Sequence, residues 1–116
     1  DEPSFIERQG TRNLIELMRL DDEGFRNRFR KSPVKRIKRR GLLRNVAVAL
    51  GNSGNAEAIP ALTVALEDPE ALIRAHSVWA LAELLGGKAL AVFADKLGEE
   101  KDEMVLEEID RAKKST

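Results

Sequence analysis

Laid over itself with an offset of 31 residues, the sequence sets Ala49-Leu50-Gly51 over Ala80-Leu81-Ala82, Ile59 over Leu90, Leu62 over Phe93 and Leu66 over Leu97. A unit of this period holds two helices and cannot bury its own apolar face, so it must stack on a neighbour. The pattern therefore predicts an all-α chain built as a short α-solenoid. At 116 residues there is room for one domain that buries roughly two-thirds of its unfolded surface. Two full units and a partial third fit in that length, so both ends of the stack need covering. Residues 13–30 and the acidic last helix are the expected caps.

The remaining elements follow from local signals. Residues 1–12 are polar, with Pro3 and Gly10, and read as an extended lead-in or linker. Helical spacing starts at Asn13, the predicted N-cap, with Leu14, Leu17 and Met18 on one face. Asp21 and Asp22 ahead of Phe25 and Phe29 predict a second short helix. Ser32-Pro33 is a further start signal. Val34 and Ile37 lie on one stripe and Leu43, Val46 and Leu50 on another, which places a kink or a junction of two helices at Gly41. Gly51-Asn52-Ser53-Gly54-Asn55 reads as the turn that ends this helix, with Ile59, Leu62 and Leu66 on an antiparallel partner. Asp68-Pro69 opens a third helix whose broad apolar face carries Leu72, Ile73, Val78, Trp79, Leu81 and Leu85. Gly86-Gly87 closes it, Leu90, Phe93 and Leu97 mark a fourth, and a last helix covers about residues 102–114. The expected organisation is a linker over 1–12 and one helical domain over 13–116. Within the domain, 13–31 are N-terminal helices, 32–67 and 68–98 the two repeats, and 99–116 the capping helix.

Charge is distributed very unevenly over this scaffold. From Arg26 to Asn45 the chain reads RNRFRKSPVKRIKRRGLLRN, ten of the twenty lysines and arginines with no acidic residue among them. The formal net charge of zero is thus a cancellation, because the rest of the chain holds ten basic against twenty acidic residues. Such polarity points to a polyanionic partner, first of all a nucleic-acid backbone. With no cysteine in the chain, disulfides, thiolate nucleophiles and cysteine-ligated metals are excluded, and a lone His76 excludes a multi-histidine site. No stretch reads as the ~20 apolar residues that cross a bilayer, and no signal peptide opens the chain. A cytoplasmic chain without membrane contact is expected. The start at Asp1 is consistent with a piece of a longer protein.

The Asp68-Pro69 turn, Arg74 and the alanine-rich helix that follows are similar to a HEAT-like repeat of the short PBS lyase HEAT type. SPVKRIKRRGLLRNVAVALGNSG, residues 32–54, joined to EDPEALIRAHSVWAL, residues 67–81, resembles the C-terminal HEAT-like module of the epoxyqueuosine reductases. LIELMRLDDEGFRNRF, residues 14–29, is similar to the segment that links that module to an iron–sulfur domain. The resemblance covers about residues 13–85 and no motif after Gly87. It implies a longer enzyme with a cobalamin-binding domain and two [4Fe–4S] clusters, which reduces epoxyqueuosine to queuosine at the tRNA wobble position. No catalytic, cofactor or metal residue carries over, and a cysteine-free chain does not ligate such clusters. What carries over is a share of the tRNA surface, near the anticodon stem-loop.

Lys31, Lys35, Arg36, Lys38, Arg39, Arg40 and Arg44 are the candidates for phosphate contact, against the plain alternative of a solvated helix face. A helix that turns one stripe inward exposes only about half of them. On α-helical spacing Lys35, Lys38 and Arg39 share a face, with Arg36 and Arg40 a third of a turn away, so the two groups straddle a backbone groove. No aromatic interleaves them to stack on bases, so the module is expected to position an A-form stem by shape while another domain reads the base. Asn52 is read as a cap or turn residue rather than a ligand. Arg74 is read as an ion pair between repeats, His76 as a half-buried hydrogen-bonding residue rather than a tRNA or domain contact, and Trp79 as core. Eight acidic against two basic residues from Asp95 to Asp110 read as a solvated cap rather than a calcium or catalytic site, since no glycine-punctuated loop accompanies them. The rival function is a protein–protein scaffold, and a third reading docks the basic face on the enzyme's own iron–sulfur domain.

Overall fold

The structure is a computed structural model that describes residues 2–115, with side chains from Phe5 onward. Among these residues every regular element is helical. The 31-residue offset reappears as a repeated order of elements. Helix α4 (Lys38–Ser53), a 3-10 turn (Ala56–Ala58) and α5 (Ile59–Ala65) form the first unit. Helix α6 (Ala71–Leu85), a 3-10 turn (Gly86–Lys88) and α7 (Ala89–Lys96) form the second. The domain measures 42 × 27 × 19 Å, and its shortest side fits two layers of helices packed about 8–10 Å apart.

Helix α6 is the hub. It packs on α4, α5, α7 and α8 (Glu103–Lys114), and Glu83 is its one exposed residue. Small residues make that crowding possible. A Cβ at Gly51 would lie 2.7 Å from Trp79 Cζ3 and 2.9 Å from Ala80 Cα, so α4 and α6 touch at their backbones there. Gly51 is thus a crossing point and not part of the expected turn. The helix continues to Ser53, and Gly54 (φ 68°) makes the left-handed stop that its missing Cβ allows. Asn55 then caps the next turn through its Oδ1, which accepts from Glu57 N at 2.9 Å.

The N-terminal region departs most from expectation. The linker read over 1–12 is instead helix α1 (Glu2–Glu7), followed by α2 (Thr11–Met18). Burial decides this: Phe5 meets Phe29 at 5.8 Å between ring centroids with planes at 82°, and α1 rests on α4. Asn13 is not a cap; Gly10 holds that position without a side-chain bond, and Asn13 Nδ2 donates to Gln9 Oε1 at 3.4 Å. Leu14, Leu17 and Met18 are buried as their spacing predicts. Helix α3 (Asp22–Arg28) starts as expected, with Asp21 Oδ1 accepting from Gly24 N at 2.8 Å and Phe25 packed on Phe29 at 5.1 Å.

The change of direction ahead of α4 is real but falls earlier than Gly41. Ser32 Oγ accepts from Val34 N at 3.2 Å and starts a 3-10 turn over Pro33–Ile37. The chain then pivots at Lys38, which has φ 63° and ψ 163°. Gly41 lies inside α4 with ordinary geometry. A lysine in that glycine-only region stores about 1–3 kcal/mol of strain. Against the expectation that no stretch reads as a membrane span, a window within Ala71–Lys96 reaches a mean hydropathy of 1.4, enough on length and composition to cross a membrane. Its geometry is otherwise, because Gly86 (φ 61°) breaks the segment and α6 is enclosed by its neighbours.

Candidate nucleic-acid interface

Two elements carry the basic residues: the 3-10 turn with its approach, and the first turn of α4. Lys31, Lys35, Arg36, Lys38 and Arg40 are exposed, and among the described residues none has an ion-pair partner. Arg26 and Arg28, at the end of α3, are exposed and unpaired in the same sense. Arg44 is half-buried and donates from Nε to Asn45 Oδ1 at 3.0 Å. The face assignment by α-helical spacing does not survive, because residues 33–37 are 3-10 and the chain pivots at Lys38. Basic side chains therefore fan out around a bend rather than form two rows on one cylinder.

Arg39 leaves the candidate set. Its Nε donates to the Leu20 carbonyl at 2.7 Å, Nη1 donates to Asp68 Oδ2 at 3.2 Å and Nη2 pairs with Asp68 Oδ1. The two side chains are only 12% and 8% exposed. Burial opposes the charge, but the hydrogen bond and charge of Asp68, with Asp22 and Glu70 beyond, outweigh it and raise the guanidinium pKa above its ordinary value. Arg39 is a clamp between the turn before α3 and the turn after α5. It has nothing left to offer a phosphate.

The second repeat has the same device. Arg74 forks onto Glu100, with Nε to Oε1 at 2.8 Å and Nη2 to Oε2 at 3.0 Å, while Nη1 donates to the carbonyls of Asp68 at 2.9 Å and Pro69 at 3.1 Å. The expected structural role for Arg74 holds, with Glu100 as the carboxylate. The hydrogen bond from Arg74, reinforced by the amides of Asp102 and Lys101, holds the Glu100 carboxyl below its ordinary pKa despite burial. His76 is half-buried with Nδ1 at 2.8 Å from the Leu72 carbonyl, the geometry of an Nδ1–H donor. Trp79 is half-buried against Gly51, and Asn52 is an exposed residue in the last turn of α4 that caps nothing. In the acidic segment Asp102 caps α8, accepting from Met104 N at 2.9 Å and Val105 N at 3.2 Å. Among the described residues no cluster of acidic residues and histidine could hold a metal ion.

One feature of this surface was not legible in sequence. Phe5 and Arg8 come from the presumed linker to line a cleft with Ser32, Pro33, Val34, Arg36 and Ile37. The basic face therefore has an aromatic beside it after all, supplied by a residue 31 positions before Arg36. Only the burial of Phe5 on Phe29 brings the two together.

Comparison with known proteins gives the family. The model for HEAT repeats matches residues 39–112. The match begins at the clamp residue Arg39 and leaves the exposed Lys31, Lys35, Arg36 and Lys38 outside the generic repeat. The chain is 38% identical over 86 residues to an epoxyqueuosine reductase from Xanthomonas campestris pv. campestris, covering 72% of this chain and 24% of that protein. It is similar at 38% over 78 residues to one from Alicycliphilus denitrificans, covering 60% of this chain and 22% of that protein. A third, from Burkholderia pseudomallei, is 37% identical over 82 residues, covering 60% and 20%. The chain spans about a quarter of the length of these curated relatives. No solved structure matches it. Two stacked helix pairs, each tied by one partly buried arginine, coincide with a repeat match across most of the chain, and the protein belongs to the HEAT repeat family.

Proposed function

We propose that this chain is the C-terminal RNA-docking module of a longer, cytoplasmic epoxyqueuosine reductase, and that its basic bend holds tRNA near the anticodon stem-loop. The observation that carries the reading is the row of exposed cations, Lys31, Lys35, Arg36, Lys38 and Arg40, with no carboxylate paired to any of them among the described residues. Like charges crowded together destabilise a fold, so a surface that leaves them uncompensated is arranged for an external anion. Similarity to proteins named epoxyqueuosine reductases supports epoxyqueuosine as the substrate of the longer enzyme. Reduction itself belongs to other domains of the longer enzyme. Its iron–sulfur clusters need thiolates that this chain lacks, and its cobalamin is assigned there too.

Lys31→Glu with Lys35→Glu tests the reading, since both side chains are exposed and the helical fold stays intact. Binding of a labelled tRNA anticodon stem-loop should fall steeply. In the unaltered chain log affinity should drop by roughly 0.7 to 0.9 per neutralised phosphate for each decade of salt. Unchanged affinity and salt slope in the double variant would rule out the basic bend as the docking surface. Capture of an acidic peptide in place of the stem-loop would favour the scaffold reading instead.

A further inference from the structure

We propose that the cleft between α1 and the 3-10 turn seats one unstacked nucleotide of an RNA strand, the base on its apolar floor and the flanking phosphates against Arg8 and Arg36. The proposal rests on the docking reading above and adds a receptor for a base to a surface otherwise suited to phosphates.

Size and chemistry together restrict the occupant. The cleft holds about 380 Å³, near the lower end of small-ligand sites at roughly 300–1,000 Å³. That suits a single nucleotide better than a helix or a duplex end. Phe5, Pro33, Val34 and Ile37 make an apolar floor, and Arg8 and Arg36 are the charged residues of the lining among the described residues. Both arginines are exposed and unpaired among the described residues. Ser32 accepts from Val34 N and keeps its hydroxyl proton to donate. A flat, carbon-faced body with negative charge on its flank satisfies all of these groups at once, whereas a neutral apolar ligand leaves the arginines without a partner.

Placement adds the second half of the argument. Arg36 sits in the same 3-10 turn as Lys35, between Lys31 and Lys38, so a strand leaving the cleft meets cations on either side. The aromatic surface is set in advance, because Phe5 is already held against Phe29, and a preorganised platform loses little freedom on binding. In a duplex the bases are hidden in the stack, so the cleft selects unpaired positions such as loop or bulge nucleotides.

The 116-residue chain is titrated with a blunt RNA duplex and with the same duplex carrying one bulged 2-aminopurine nucleotide. The bulged RNA should bind about tenfold tighter, with a change in 2-aminopurine emission. Phe5→Leu and Arg8→Gln should each abolish the preference, bringing the affinity for the bulged RNA down to that for the blunt duplex measured with the same variant. Arg8 is exposed in the turn just after α1, so its replacement reports on the cleft even where the Phe5 variant loosens the helix. Equal affinity for the two RNAs overturns the base site while the docking reading stands. Binding of neither RNA removes both. A bulge preference that survives both variants puts the base elsewhere and likewise overturns the proposal.

Discussion

The bend before α4 and the second half of this molecule treat most of their basic residues differently. In the second half Arg74, Lys96, Arg111 and Lys114 each have a carboxylate within ion-pair distance, while the exposed Lys88 and Lys101 have none among the described residues. Across the bend before α4, Arg39 is the paired residue and its exposed neighbours have no such partner among the described residues. Position in the fold explains the split. Arginines that enter the stack are neutralised because a buried charge must be, and those on the bend are left free because nothing in the fold requires them. On the proposed reading the unpaired set faces a partner outside the domain, whereas of the paired set only Arg39 and Arg74 enter the stack and help to hold it together.

That distinction is open to direct attack. Arg39→Ala leaves the nearly buried Asp68 carboxylate with the Glu70 amide alone and should cost about 3–5 kcal/mol in urea unfolding; a loss near zero would mean that the clamp is decorative and the contrast false. Arg74→Ala should cost less, about 1–3 kcal/mol, because Glu100 keeps the amides of Lys101 and Asp102. The same pair predicts a pH effect of definite sign. Glu100 has a folded pKa below its unfolded value, so its contribution is complete above the ordinary carboxylate range near about 4.3 and is lost as pH falls through the lower folded value. Urea midpoints measured down that range should fall more for the unaltered chain than for Arg74→Ala. At the small end, Lys35→Ala should leave the unfolding midpoint where it is while reducing the salt slope of stem-loop binding by just under one. A shift in stability there would show that the bend is structural too.

How the sequence encodes these features explains which of them could be read from it. Repeat period, the burial of Leu14, Leu17 and Met18, and the starts at Asp21 and Ser32 depend on neighbours three or four residues apart, so their spacing carries the information. Arg39 could not be separated from Arg36 or Arg40 by any local rule. Its partners are the Leu20 carbonyl and Asp68, 19 and 29 residues away. Gly51 looked like a turn because it adjoins Asn52 and Gly54, yet its function is to let Trp79 and Ala80 approach. Phe5 was hidden by Pro3 and Gly10, two residues that signal irregular chain but sit at the edges of helices here. The pivot went to Lys38 rather than to Gly41, where conformational freedom is cheapest. We have no physical reason for a lysine at φ 63° beyond the change of direction it effects.

Arg39 also bears on how the domain comes apart. Stacked repeats that touch only their neighbours tend to fray from the ends, opening one unit at a time. A single side chain that joins the turn before α3, the start of α4 and the turn after α5 removes that freedom, since loosening any one of them breaks the other two contacts. The N-terminal helices and the first repeat should therefore open together, with the basic bend carried on that shared unit.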